Sequence, residues 1–115
     1  MADDCLFCGI VRDDVPADVI RQSEGTLSFR DINPQAPTHV LVIPRTHFRD
    51  VGELAGADAQ LLQEVLTEAA GVARDEGIAD AGYRVVFNTG SGAGQTVFHV
   101  HAHVLGGRGM KWPPG

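Results

Sequence analysis

Basic side chains are scarce in this chain. Nine Lys and Arg stand against fifteen Asp and Glu, for a formal net charge of -6 at pH 7 and a pI near 5.1. Non-specific attachment to nucleic acid or to an anionic membrane needs a basic surface, so neither is an expected partner. A small phosphate ligand stays open, because backbone N–H groups can hold it without Lys or Arg. Long apolar runs are also missing, and none approaches the roughly 20 residues of a bilayer span. The start, Met1-Ala2-Asp3-Asp4, is acidic and carries no signal-peptide pattern, which makes the cytoplasm the expected compartment. Cysteine is limited to Cys5 and Cys8, both expected to stay reduced there. Repeats and internal linkers are absent, and 115 residues suit one compact domain, 1–115, with no room for two. Apolar residues are not lacking: at 43% they suffice for a core and argue against disorder.

Local patterns predict the elements. Cys5 to Arg12 reads as a short helix or turn stopped by Pro16. Val19–Arg21 and Thr26–Phe29 alternate on either side of Gly25 and read as a hairpin with that glycine at its turn. Asp31 to Thr38, with Pro34 and Pro37, is a loop, and His39–Ile43 a buried strand ended by Pro44. Leu61, Leu62, Val65, Leu66, Ala69, Val72 and Ala73 recur at helical spacing, with Asp58 as N-cap and Gly77 as stop. Gly71 weakens this one long helix slightly. Its polar face, with Gln63, Glu64, Glu68, Arg74 and Asp75, reads as solvated. Tyr83–Phe87 is a strand, Asn88–Gln95 a glycine-rich loop, Val97–Leu105 a last strand, and Gly106–Gly115 an irregular tail. Several strands around one long helix, without βαβ alternation, predict an α+β fold with an antiparallel sheet.

Chemistry concentrates in the last strand. Three of the five histidines fall within five positions, His99, His101 and His103, alternating with Val100, Ala102 and Val104. An extended chain projects every second side chain to one face, so the three imidazoles are expected to share a surface while the apolar residues enter the core. Such a group serves metal binding or nucleophilic and acid–base catalysis. The loop before it carries Gly90, Gly92 and Gly94, whose backbone can turn successive N–H groups toward an anion. Its spacing is neither a P-loop nor a dinucleotide fingerprint. Cys5-Leu6-Phe7-Cys8 lacks the thioredoxin-like context of a redox pair. Two thiols at this spacing either grip one Zn²⁺ with two further ligands or are simply buried. His39 reads as a hydrogen-bonded structural histidine, and Asp31 as a turn-former before Asn33-Pro34 or a hydrogen-bond acceptor for a ligand.

The run His99-Val100-His101-Ala102-His103-Val104-Leu105 resembles the signature of the histidine triad (HIT) superfamily. Asp31 to His39, Val42 to His47, Gly94 to Phe98 and the ending Gly106 to Gly115 resemble its Hint branch. The resemblance implies a HIT-like fold: an antiparallel sheet of about five strands, one long helix and a short N-terminal helix. It implies a homodimeric purine nucleoside phosphoramidase that cleaves AMP from an amine. His101 would be the nucleophile, with His103 and the Gly94 and Thr96 backbone as phosphate donors. The Thr96 hydroxyl would touch phosphate or leaving group, Asn88 the ribose–phosphate side, and Asp31 the ribose hydroxyls. Phe7, Ile10, Phe29 and Ile32 would sandwich the purine, and Gln95 and Val97 lie in the same binding motif. Relatives with the cysteine pair close a structural zinc site that here would use Cys5, Cys8, His47 and His99. Trp112, in the tail 106–115, would approach the neighbouring subunit's site. Two rivals remain: a dinucleoside polyphosphate hydrolase, and a non-catalytic nucleotide- or zinc-binding module.

Overall fold

A computed structural model describes residues 4–115; of the acidic start, Met1 to Asp3 lie outside the described residues. Helix α1 spans Leu6–Val11. Strands β1 (Val19–Gln22), β2 (Thr26–Arg30) and β3 (Thr38–Pro44) follow, then helices α2 (Val51–Ala57) and α3 (Ala59–Asp75), and strands β4 (Tyr83–Val86) and β5 (Ala102–Gly106). The five strands form one antiparallel sheet in the order β1-β2-β3-β5-β4. This is the α+β arrangement that the sequence predicts, a five-stranded antiparallel sheet with one long helix and a short N-terminal helix.

Alternation along β3 explains why that strand lies at the centre. Val40 and Val42 join Val100, Ala102 and Val104 against Val65, Ala69 and Val72 of α3. The other parity, Leu41 and Ile43, packs with Leu27, Phe29 and the α1 residue Phe7. With α1 on one face and α2 and α3 on the other, every residue of β3 is buried, as its apolar run Val40–Ile43 suits.

Three local expectations are corrected. The residues Val51–Ala57 form a helix of their own, which the sequence hides because Leu54 is their only fully buried side chain. Asp50 caps it by accepting from the Glu53 N–H at 2.9 Å. The last strand does not begin at Val97: the ladder covers Ala102–Gly106, and the Val100 N–H donates instead to Phe48 O at 2.7 Å. The hairpin with Gly25 at its turn forms as expected; a Cβ there would come within 2.7 Å of the Glu64 carboxylate, which accepts from the Gly25 N–H at 2.7 Å. The polar face of α3 is not merely solvated. Glu68 is buried and accepts from Arg21 Nε at 2.9 Å, and Asp75 accepts from the same guanidinium at 2.7 Å.

Candidate active site and metal centre

The three imidazoles do not share one surface. His99 is fully buried and turns toward the two thiols, while His101 and His103 line a cavity of about 330 Å³. The chain ahead of Ala102 leaves the ladder, so His99 is free of the sheet's flat geometry although Val100 keeps its place in the core. The ring of Phe7 packs edge-on against both His99 and His101, with centroids 5.9 and 5.1 Å away.

Hydrogen bonding assigns a tautomer to each ring, because a carbonyl oxygen can only accept. His99 Nε2 donates to Pro44 O at 2.8 Å, leaving the Nδ1 lone pair toward the thiols. His101 Nδ1 donates to His99 O at 2.8 Å, leaving a lone pair on Nε2. His39 Nδ1 accepts from the Gln35 N–H at 3.0 Å, so its Nε2 donates to His103 Nδ1 at 2.9 Å. The proton of His103 is then on Nε2. Burial keeps all of them neutral: it lowers His39 and His101 below the ordinary histidine value and holds His99 and His103 at about 4.

Of the residues read as substrate-binding, Phe7, Ile10, Phe29, Asp31, Ile32, Thr96, Val97, His101 and His103 line the cavity. Ile32 is 99% exposed at its rim, a large apolar side chain with nothing on it. Asp31 makes the turn its sequence context suggests: Oδ1 accepts from the Asn33 N–H at 2.8 Å. Its Oδ2 lies 3.4 Å from His39 Nε2, and the residue lines the cavity.

Asn88, Gly94, Gln95 and Trp112 are not among the lining residues. The buried Gln95 side chain is a brace. Its oxygen accepts from the Gly90 N–H at 2.8 Å, and its amide donates to Arg49 O and Val97 O at 2.8 and 3.1 Å. The glycine-rich loop is thereby tied to the segment that follows β3, and Gly90 and Gly94 take φ of 82° and 93° to make the bend. Trp112 is 84% exposed on a tail held by the bond from Arg84 to Lys111 O. Sequence reading missed Leu41, Arg30 and the Val15–Ala17 segment as cavity walls. Leu41 was accessible from its parity with His39; the irregular Val15–Ala17 carries no periodic signal.

Cys5, Cys8, His47 and His99 bring four donor atoms within 4.8 Å of one another. His99 Nδ1 lies 3.4 Å from Cys5 Sγ, 3.5 Å from Cys8 Sγ and 3.2 Å from His47 Nδ1, and Cys8 Sγ is 3.3 Å from His47 Nδ1. Around tetrahedral zinc, the usual bond lengths put sulfur and nitrogen about 3.6 Å apart and two nitrogens about 3.3 Å apart. The donor set fits that ion in number, type and spacing. The carbonyl of Pro44 completes the fit, since it holds the proton of His99 on the nitrogen remote from the cluster.

A family model described as the HIT domain matches residues 12–110. The chain is 44% identical over 108 residues to the purine nucleoside phosphoramidase of Escherichia coli, covering 94% of this chain and 91% of that protein. It is 44% identical over 115 residues to an uncharacterized HIT-like protein of Synechococcus elongatus, covering both chains fully (100%). Among solved structures, a HIT family hydrolase from Legionella pneumophila is similar with a TM-score of 0.93 at 48% identity, over 97% of this chain and 100% of that one. A HIT family hydrolase from Clostridium thermocellum gives 0.91 at 44% identity, over 95% of each.

Proposed function

The chain belongs to the HIT domain family, and from that premise we propose that it is a nucleotide hydrolase that cleaves the P–N bond of a purine nucleoside phosphoramidate. The observation that carries this reading is the pairing of His101 Nδ1 with His99 O, which leaves an unprotonated Nε2 on a ring that lines the cavity. A neutral imidazole with a fixed tautomer is a ready nucleophile.

In the proposed reaction, His101 Nε2 attacks the α-phosphorus. The P–N bond breaks, the amine takes up a proton and leaves, and a nucleotidyl-histidine forms. Water then attacks phosphorus, the phosphorus–imidazole bond breaks, and AMP departs. His103 Nε2–H and the backbone N–H of Thr96 donate to the phosphate oxygens; the Gly94 N–H is engaged with Ser91 O at 3.0 Å. The Thr96 hydroxyl faces the phosphate or the leaving group, and Asn88 serves the ribose–phosphate side. Asp31 keeps Oδ2 for the ribose hydroxyls, and Phe7, Ile10, Phe29, Ile32 and Val97 enclose the base. Zinc on Cys5, Cys8, His47 and His99 would be structural, joining α1 to the segment that carries the nucleophile.

The reading includes a single HIT domain, 1–115, that works in the cytoplasm as a homodimer, with the tail 106–115 at the interface and Trp112 near the partner's site. No described helix is long and apolar enough to cross a membrane. Turnover of adenosine 5′-phosphoramidate tests it. His101→Ala should lose about three or more orders of magnitude in kcat while AMP binding persists. Quenched wild-type protein should carry an AMP adduct on His101. Turnover of diadenosine polyphosphate in preference would favour the sister hydrolase; AMP binding without any turnover would favour a binding module.

A further inference from the structure

One residue connects the thiol–imidazole cluster to the proposed nucleophile. The His99 ring turns Nδ1 to Cys5 Sγ and Cys8 Sγ, 3.4 and 3.5 Å away, and its Nε2 donates to Pro44 O. Its main-chain oxygen accepts from His101 Nδ1 at 2.8 Å, the bond that keeps a lone pair on His101 Nε2. Helix α1 makes a second connection. Phe7 lies between the two cysteines in sequence, and its ring stands at 90° to that of His101, with centroids 5.1 Å apart. Whatever loosens the cluster therefore reaches His101 along two paths.

The two sulfurs are not equivalent. Cys8 is buried, whereas Cys5 is partly exposed. Cys5 and His47 line a cavity of about 610 Å³, and Cys8 is not among its lining residues. A small solute therefore meets Cys5 first. The Cys8 N–H donates to Cys5 Sγ at 3.4 Å, and both sulfurs belong to the set of donor atoms within 4.8 Å of one another. The second thiol is thus at hand once the first has reacted. Oxidation of a cysteine follows its thiolate character and its access, and a thiol that coordinates a metal is deprotonated. The arrangement differs from the dithiol of an oxidoreductase, because the partners of these sulfurs are two imidazoles.

We infer that Cys5 and Cys8 form a peroxide-sensitive switch on His101, an inference that rests on the phosphoramidase and zinc readings above. Cys5 Sγ attacks one oxygen of hydrogen peroxide; the O–O bond breaks, hydroxide leaves and Cys5 becomes a sulfenic acid. Cys8 Sγ then attacks Cys5 Sγ; the S–O bond breaks, a second hydroxide leaves and the disulfide forms. Each hydroxide takes up a proton to give water. The two thiolates lose two electrons and the peroxide gains them. With its sulfurs joined to each other, the site keeps only two imidazole donors and gives up its zinc. His99 is fully buried, so its Nδ1 becomes a buried acceptor without a partner, which is costly. The ring turns to find one, and His99 O and the His101 tautomer shift with it. Small-molecule thiols of a reducing compartment reverse the step.

Zinc-loaded wild-type protein treated with hydrogen peroxide, then catalase, provides the test. Zinc captured by a chromogenic chelator should rise together with the loss of two hydrogens from the intact monomer mass. The imidazole ¹⁵N spectrum should show His101 passing from one tautomer to a mixture, and kcat for adenosine 5′-phosphoramidate should fall about ten- to a hundredfold. Dithiothreitol with added zinc should restore each of these. Zinc that stays bound under peroxide, or zinc that is released while His101 keeps one tautomer, would overturn the switch. So would a loss that dithiothreitol and zinc do not reverse, or a gain of oxygen in place of the disulfide. Protein unable to hold zinc before treatment would overturn the zinc reading and the switch with it. Protein that never turns over the phosphoramidate would overturn the phosphoramidase reading alone, because metal content, mass and the ¹⁵N spectrum report the switch without turnover.

Discussion

His39 Nε2 lies 2.9 Å from His103 Nδ1, across the ladder between β3 and β5. Because His39 is itself fixed by the Gln35 N–H, the pair forms a relay that places the His103 proton on Nε2. In the proposed reaction His39 would therefore be a positioning residue.

His39→Phe should remove that constraint. The expected outcome is a fall in kcat of about ten- to a hundredfold, with AMP affinity nearly unchanged. The distinguishing measurement is the imidazole ¹⁵N spectrum: His103 should change from a single Nε2–H tautomer to a mixture. A retained single tautomer would show that something else orients the ring.

The thiol–imidazole cluster predicts metal content and stability together. Protein purified without chelator should hold one equivalent of zinc, and Cys8→Ser or His47→Ala should hold far less. Stripping the metal should lower Tm by about 10 °C or more, since in a chain this short each kcal/mol moves Tm by several degrees. A Cys5→Ser variant with a full equivalent of zinc would defeat this ligand set.

Acid should destabilise the fold through its buried imidazoles. His103 is held at about 4 and His39 is also lowered, both chiefly by burial. An unfolded histidine titrates near about 6.5. Between these values the unfolded chain binds more protons, so stability is complete above about pH 6.5 and is lost as pH falls toward 4. The midpoint in urea should drop between pH 7 and 5 but not between 7 and 8. The drop should be shallower in His103→Asn.

Arg21 is predicted to be the main polar tie between the β1–β2 hairpin and α3. Its guanidinium serves the buried Glu68 and the exposed Asp75. Arg21→Ala should cost about 2–4 kcal/mol, because it strands a carboxylate that water reaches poorly. Gly71→Ala carries an unusual sign. In an open helix that change stabilises by about 1 kcal/mol. Here the new Cβ would come within 2.5 Å of Arg21 Cζ, in a guanidinium clamped by two carboxylates, so chemical denaturation should show a loss.

Legibility in the sequence followed the range of the interaction. The α3 periodicity and the β3 strand are local patterns, and each was read within a few residues of its bounds; the glycine-rich loop was read as a loop, but the chain after it stays out of the sheet as far as His101. Helix α2 was not, because a two-turn segment with two glycines and one buried leucine has no periodicity to detect. The role of Gln95 as an internal brace was hidden for a related reason: its partners Gly90, Arg49 and Val97 converge only when two loops meet. Glu64 and Glu68 look like solvated helix residues until the hairpin docks on them.

By itself the sequence determined that three imidazoles would alternate with a buried apolar row beside a loop rich in backbone donors, because side-chain parity is a property of consecutive residues. Only the tertiary structure decided how those imidazoles divide their work. His99 receives its hydrogen-bond partner from Pro44, 55 residues away, and His103 from His39, 64 residues away. A ring nitrogen becomes donor, nucleophile or ligand according to what faces the other nitrogen, and that partner is supplied by the fold.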